Sequence, residues 1–295
     1  MSFRIATTVD EAIQALADGY RPVAGGSDLV VGARHGKAPL PQHIVAIDRL
    51  DDLRCVDITD AGACIGALVN HHTIEHHPVL SVSYAALADG SALVGSPATR
   101  NVGTLGGNVM NGSPAMDTGA PLVVLGAEAE LRSAGGSRRV GMAELWTAPG
   151  RTSARPDELC VAVHVPAPAA NSGSAYIRLE YRRAMEIAVV GAAAAVTLAG
   201  DGSVASVRVA LTAVAPTIVE VTGLGGGSVA DVAAAAQAAA SQQARPISDL
   251  RASDRYRRHT VGVMARRAVE AAARRAAGEH LSVPVNRALG IGAAS

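Results

Sequence analysis

Aromatic residues are nearly absent from this 295-residue chain, which has one Trp, one Phe and five Tyr. Hydrophobic residues still make up 49% of it and charged ones only 18%, so its cores must be built from Ala, Val, Leu and Ile. Cysteine is equally scarce. Cys55, Cys64 and Cys160 form no CxxC pair, which excludes an iron–sulfur or structural zinc site made by this chain's cysteines and fits a reducing compartment. Neither sign of charge dominates, with 26 basic against 26 acidic residues, and this argues against nucleic-acid or membrane-surface binding. The exception is the Arg-heavy stretch 251–275. Val261, Val263, Met264, Ala268 and Val269 recur there at helical spacing, so it reads as a helix with a solvated or subunit-facing basic side. No basic region followed by an apolar run opens the chain, and no window reaches transmembrane length. The expectation is a cytoplasmic chain without membrane insertion, of two or three domains.

What the chain does have is glycine in a long polar stretch, Ser96 to Asp117. Gly103, Gly106, Gly107 and Gly112 allow positive φ and close approach to a ligand. Ser96, Thr99, Asn101, Thr104, Asn108, Asn111 and Ser113 are interleaved with them. A stretch so rich in backbone donors and short polar side chains suits phosphate or ribityl oxygens. It shows no helical or strand periodicity and reads as a buried binding loop between the apolar segments 92–94 and 121–125.

Thr8-Val9-Asp10-Glu11 carries a capping box ahead of a helix with Ala12, Ile13, Ala15 and Leu16 on one face, ending near Gly19. Pro22-Val23-Ala24 reads as a strand entering Gly25-Gly26-Ser27-Asp28, and Leu29 to Arg34 as a helix start capped by Ser27 or Asp28. Residues 44–48 read as a second strand. The resulting βαβ unit aims a helix N-terminus at an anion, although the spacing is not that of a Rossmann motif and an ordinary tight turn fits the glycine pair as well.

Hairpins are predicted at 55–67 and 127–140 and a strand over 159–166. A linker follows at 166–174, then strands over 188–198 and 206–214 around Asp201-Gly202, and a helix over 230–242. His72 and His76 stand at i,i+4, a spacing that can hold a metal. Thr73 reads as a cap there, no third ligand is evident, and no metal site is assigned. Gly225-Gly226-Gly227-Ser228 lacks a following Lys-Ser/Thr and reads as a connection.

Three stretches carry a resemblance together: Val23 to Leu29, Arg100 to Asn108 continuing through Ser113-Pro114-Ala115-Met116-Asp117, and Ala175 to Arg178 running on to Arg182 through Val190. In this order and spacing the chain resembles the FAD-binding medium subunit of molybdenum hydroxylases, the group that includes carbon monoxide dehydrogenase and xanthine dehydrogenase. The resemblance implies an α+β fold. A two-part FAD-binding domain of the PCMH, vanillyl-alcohol-oxidase-like type would occupy 1–172, with a βαβ part at about 1–52 and a larger α+β part at 53–172. A C-terminal α+β domain with a small antiparallel sheet would occupy 173–295.

It further implies that Ala24, Gly25, Gly26, Ser27, Asp28 and Leu29, with Thr104, Leu105, Gly106, Gly107 and Asn108, wrap the FAD pyrophosphate and ribityl region through backbone N–H groups and the two hydroxyls. Asn111 and Asp117 match positions near the flavin, Cys160 lies with Leu159 on a strand passing the ring, and Arg178 matches a basic position beside the isoalloxazine. A cation there eases flavin reduction. Glu186 stands where relatives carry Asp, and Tyr176 and Tyr181 are the aromatic side chains nearest in sequence for packing on the ring. Alternatively, Asp117 caps a helix over 118–125, and Arg178 pairs with Glu180 or Glu186 on the surface.

The function implied is electron transfer in a heterotrimer. A large subunit would hold molybdenum–pterin and a small one two 2Fe–2S clusters. Electrons would pass through FAD in this chain to NAD, a quinone, a cytochrome or oxygen, and a dimer of heterotrimers is the assembly implied. Two other functions fit the residues: a non-catalytic nucleotide-binding or assembly module of the same fold, and a stand-alone flavin oxidase. For the latter the sequence offers no substrate-side acid or base.

Overall fold

The computed structural model describes residues 1–34, 36, 39–182 and 184–291. The first unit runs β1 (Ser2–Ile5), α1 (Val9–Ala17), β2 (Arg21–Val23), α2 (Ser27–Arg34) and β3 (His43–Ala46). β3 lies in the middle and pairs in parallel with both β1 and β2. Thr8 caps α1 by accepting from the Glu11 N–H at 3.2 Å. The Glu11 carboxylate turns instead to the N–H and hydroxyl of Thr7, so the box closes one residue earlier than predicted. α1 buries Ala12, Ile13, Ala15 and Leu16, whereas α2 buries none of its residues. α2 begins at Ser27 itself, with the Gly26 carbonyl accepting from the Val30 N–H at 3.0 Å. The cap position therefore falls on Gly26 rather than on Ser27 or Asp28.

The middle unit is an antiparallel sheet in the order β4 (Val56–Thr59), β5 (Gly62–Gly66), β10 (Leu159–Pro166), β6 (Glu128–Ser133), β7 (Gly136–Gly141). Its helices are α3 (His71–His76), α4 (Leu80–Ser83), α5 (Ala85–Leu93), α6 (Pro97–Val102), α7 (Leu105–Asn111), α8 (Gly119–Val124) and α9 (Met142–Leu145), and β8 (Trp146–Ala148) pairs with β9 (Arg151–Thr152). The polar stretch 96–117 is thus not irregular. It holds α6 and α7, capped by Ser96, which accepts from the Thr99 N–H, and by Thr104, which accepts from the Gly107 N–H. Neither helix has a long apolar stripe, so caps and tertiary contacts hold them in place of periodicity. α3 is capped by Asn70 through the Thr73 N–H at 2.8 Å, which corrects the assignment of Thr73 as cap.

The last unit is the antiparallel sheet β11 (Ser172–Leu179), β12 (Val190–Leu198), β13 (Val204–Thr212), β14 (Val219–Glu220), packed with α10 (Val229–Gln243), α11 (Asp254–Ala276) and α12 (Val285–Ala288). Its core is small-residue packing, with Ala192, Ala194, Ala233, Ala236, Ala265 and Ala268 all buried. The basic helix α11 is not solvated along its whole basic face. Arg257 is buried and donates to Asp249 at 2.7 Å, and Arg275 reaches Asp89 of α5 at 2.6 Å. Among the described residues no helix is long and apolar enough to cross a membrane.

Candidate functional site

The turn after β2 meets the turn between α6 and α7, and glycine makes the meeting close. A Cβ on Gly25 would stand 1.8 Å from the Val102 carbonyl oxygen and 3.3 Å from the Gly103 nitrogen. A Cβ on Gly103 would lie 3.6 Å from Ser27 Oγ and 3.4 Å from His71 Cδ2. Two segments almost eighty residues apart in sequence therefore touch backbone to backbone. Behind them, the His71 N–H donates to the Gly103 carbonyl at 3.1 Å and the Leu105 N–H to the Val69 carbonyl at 2.9 Å, which fixes the second turn to the start of α3.

The two sides of this junction differ in what they leave free. Among the described residues, no backbone hydrogen bond uses the N–H of Gly25, Gly26, Ser27, Asp28 or Leu29. Three of these open α2, where the first N–H groups have no intrahelical partner and the dipole favours an anion. On the α7 side the N–H groups of Leu105, Gly106, Gly107 and Asn108 donate to Val69 O, Ala67 O, Thr104 Oγ1 and Thr104 O. Those four amides are therefore already engaged. What α7 turns outward is the exposed or half-exposed face of Gly107, Asn108 and Asn111, while Leu105, Gly106 and Val109 are buried. Asn108 Oδ1 accepts from the Thr118 hydroxyl at 2.6 Å, leaving its NH2 as a donor. Asp28 is open at the rim, where desolvation by the surrounding protein raises its pKa above the usual carboxylate value.

Three residues expected near the flavin ring rather than in this cradle, Asp117, Cys160 and Arg178, are buried. Arg178 on β11 is fully buried. It donates to Asp117 at 2.7 Å, to Glu180, and to the Leu93 carbonyl at 2.9 Å. Asp117 also accepts from the Tyr176 hydroxyl at 2.9 Å, and Thr118 rather than Asp117 takes the cap position of α8. The ion pair of Arg178 is thus a buried one, not a surface one. Burial pushes the Asp117 carboxyl up to about 6 against the pull of Arg178 and Tyr176. Cys160 is buried in the main core, where desolvation pushes its thiol up to about 12 and makes it inert. Tyr176 is sealed in the core, whereas Tyr181 is exposed. Beside α6, Met185 adopts a left-handed φ of 53° and donates its N–H to the Gly95 carbonyl at 3.0 Å, so the segment after β11 reaches the start of the 96–117 stretch.

Sequence reasoning missed His71 and Glu75. His71 is buried under Gly103, and desolvation and then Arg100 depress its pKa to about 4, so it is a neutral strut beneath the junction. Its burial follows from tertiary packing and has no local signal. Glu75 completes a three-residue group with His72 and His76, the third ligand that sequence spacing did not supply; its i+3 position from His72 was the available signal.

Free N–H groups at a glycine turn, closed by a second glycine-bearing turn, make a site for the phosphates of a nucleotide. Residues 1–168 match the family described as the FAD binding domain in molybdopterin dehydrogenase, and residues 175–272 match the CO dehydrogenase flavoprotein C-terminal domain. The chain is 30% identical over 287 residues to the putative xanthine dehydrogenase FAD-binding subunit of Escherichia coli, covering 94% of this chain and 98% of that one. It is 33% identical over 266 residues to the carbon monoxide dehydrogenase medium chain of Afipia carboxidovorans, covering 88% and 91%. Among solved structures, the Cu,Mo-CO dehydrogenase in its cyanide-inactivated form matches with a TM-score of 0.88 at 30% identity, over 93% of this chain and 98% of that one. Quinoline 2-oxidoreductase from Pseudomonas putida matches at 0.86 and 26% identity, over 94% and 98%. The chain belongs to the FAD-binding medium subunits of the molybdenum hydroxylases, and is an oxidoreductase flavoprotein subunit of that family.

Proposed function

We propose that this chain binds FAD at the Gly25–Gly103 junction and carries electrons within a heterotrimeric molybdenum hydroxylase. The observation that supports this most directly is the row of backbone N–H groups from Gly25 to Leu29 left without partners beside a turn that glycine alone can approach. These residues fit the group. The N–H groups of Gly25 to Leu29, the Ser27 hydroxyl and the N-terminal dipole of α2 would hold the pyrophosphate, while Asn108 Nδ2 and Asn111 on α7 would take ribityl or ribose hydroxyls. Thr104 contributes chiefly by capping α7 and so fixing that face. When bound, FAD supplies the chemistry that joins one-electron carriers to an outside acceptor.

In this reading the chain divides near residue 172 into the FAD-binding part and the C-terminal part. The molybdenum–pterin site lies in a large partner subunit and two 2Fe–2S clusters in a small one. The acceptor is NAD, a quinone, a cytochrome or oxygen, the assembly is a dimer of heterotrimers, and the location is cytoplasmic. The test is the visible spectrum of the purified chain before and after dithionite, with chromatography of the acid-released cofactor. Reducible flavin bands with one FAD per chain are expected. Absence of flavin, even after adding FAD and coexpressing the partner subunits, would overturn the reading in favour of an assembly module. Copurification with both partners would separate an electron-transfer subunit from a stand-alone oxidase.

A further inference from the structure

The helix α3 carries a second cluster that FAD binding leaves unused. His72, Glu75 and His76 each offer a ligand atom within 4.8 Å of those of the other two. The imidazole rings of His72 and His76 lie 4.3 Å apart, centroid to centroid. His76 Nδ1 lies 2.9 Å from the His72 carbonyl. A carbonyl oxygen only accepts, so the ring proton sits on Nδ1 and the lone pair on Nε2 is free. Metal-bound histidines are ordinarily held in this way, the far nitrogen donating to a carbonyl or carboxylate.

Glu75 adds a second, independent observation. Its side chain is 15% exposed, and Arg100 Nε lies 2.9 Å from its Oε2. The pair is not aligned for a hydrogen bond, so both atoms are buried without a hydrogen-bond partner. Oε2 is therefore held by the Arg100 charge alone, with no aligned hydrogen bond to fix the carboxylate in that orientation.

We propose that His72, Glu75 and His76 form a binding site for a divalent transition-metal ion of the zinc class. Two imidazole nitrogens and one carboxylate oxygen are a donor set that such ions take, with water completing a tetrahedron. In a tetrahedral sphere the ligand atoms stand roughly 3.3 Å apart, so the side chains must close by about an ångström or more. Both histidines are exposed, and His72 can turn toward His76, whose ring the His72 carbonyl holds. The site lies on the helix whose first residue donates to the Gly103 carbonyl, and whose Glu75 is tied to Arg100 of α6. A metal there would brace α3 and α6 beneath the junction that Gly25 closes.

The experiment is calorimetric titration of the full-length, chelator-treated protein with Zn2+, alongside thermal unfolding with and without the ion. One ion per chain and a raised melting temperature are expected. His72→Ala and His76→Ala should each weaken binding at least tenfold, and Glu75→Gln should weaken it less. His259→Ala, an exposed histidine far along the chain, should change nothing. Circular dichroism confirms that these surface variants remain folded. No binding by the parent chain, or undiminished binding by the His72→Ala/His76→Ala double variant, would overturn the proposal. Because the readout is metal binding and melting, its failure is distinct from failure of the flavin reading.

Discussion

A methyl group on Gly25 has nowhere to go. The atom it would strike, the Val102 carbonyl oxygen at 1.8 Å, belongs to backbone and cannot rotate aside. Gly25→Ala must therefore push the two turns apart, and overpacking of this kind costs roughly 1–3 kcal/mol. The same movement displaces the N–H groups of Gly25 to Leu29 from the α7 face. FAD affinity of Gly25→Ala, measured by fluorescence titration of flavin-stripped protein, should fall at least about tenfold, since ~1.4 kcal/mol of lost fit already gives that factor. Parent-like affinity would remove the junction from the binding site. Gly106 is a useful contrast. A Cβ there would meet the Ala67 Cβ at 2.6 Å, inside the protein, so Gly106→Ala should lower stability first and flavin binding only as a consequence.

At the scale of elements, one buried base sets a pH response where α3 meets the turn between α6 and α7. His71 opens α3, lies 1% exposed, and is held neutral with a pKa of about 4. The unfolded chain protonates this histidine near 6.5, so between those values the unfolded state binds a proton that the folded state does not. Stability from His71 is thus full above about pH 6.5 and is lost as pH falls toward 4, by about 3 kcal/mol in all. Asp117, with its folded pKa raised to about 6, works in the opposite direction over an overlapping window. The measurement is therefore a difference: urea unfolding of the parent and of His71→Gln at about pH 7 and about pH 4.5, the variant losing less on acidification. Equal losses would show that His71 is already solvated.

The same elements mark how far the sequence could be read. The hairpins at β4–β5 and β6–β7 and the strand pair β12–β13 were legible because turn glycines sit between alternating apolar runs. α6 and α7 were not, because their stripes are a turn long. Their start signals, Ser96-Pro97 and Thr104, were nonetheless in view. At the site, the glycines and the Ser27 turn were legible from composition and motif. That Ala67 and Val69 would consume the first two α7 amides was not, since those two partners come from chain folded back from elsewhere.

At the scale of the whole molecule, two buried arginines join the C-terminal sheet and helices to the middle unit. Arg275 of α11 and the N–H groups of Tyr176 and Val285 converge on Asp89 of α5, which is wholly buried. Arg178 of β11 is held between Asp117 and Glu180 and binds the Leu93 carbonyl. The contacts span 61 and 85 residues of chain in the case of Arg178, which is why no local pattern announced them. Removing the charge from the middle of such a group leaves two buried carboxylates uncompensated. Arg178→Met should therefore cost about 3–5 kcal/mol, whereas a triple variant that also carries Asp117→Asn and Glu180→Gln should recover much of the loss, because neutral replacement of a whole buried ion group is often close to neutral in stability. Chemical denaturation distinguishes the two variants. The same proteins decide whether Arg178 acts on the flavin. A guanidinium fully enclosed by Asp117, Glu180 and a carbonyl has no face left for a cofactor, so the folded fraction of Arg178→Met should bind FAD with the parent stoichiometry and the parent reduction potential. A shifted potential in the triple variant, at recovered stability, would instead place the Arg178 charge within reach of the ring.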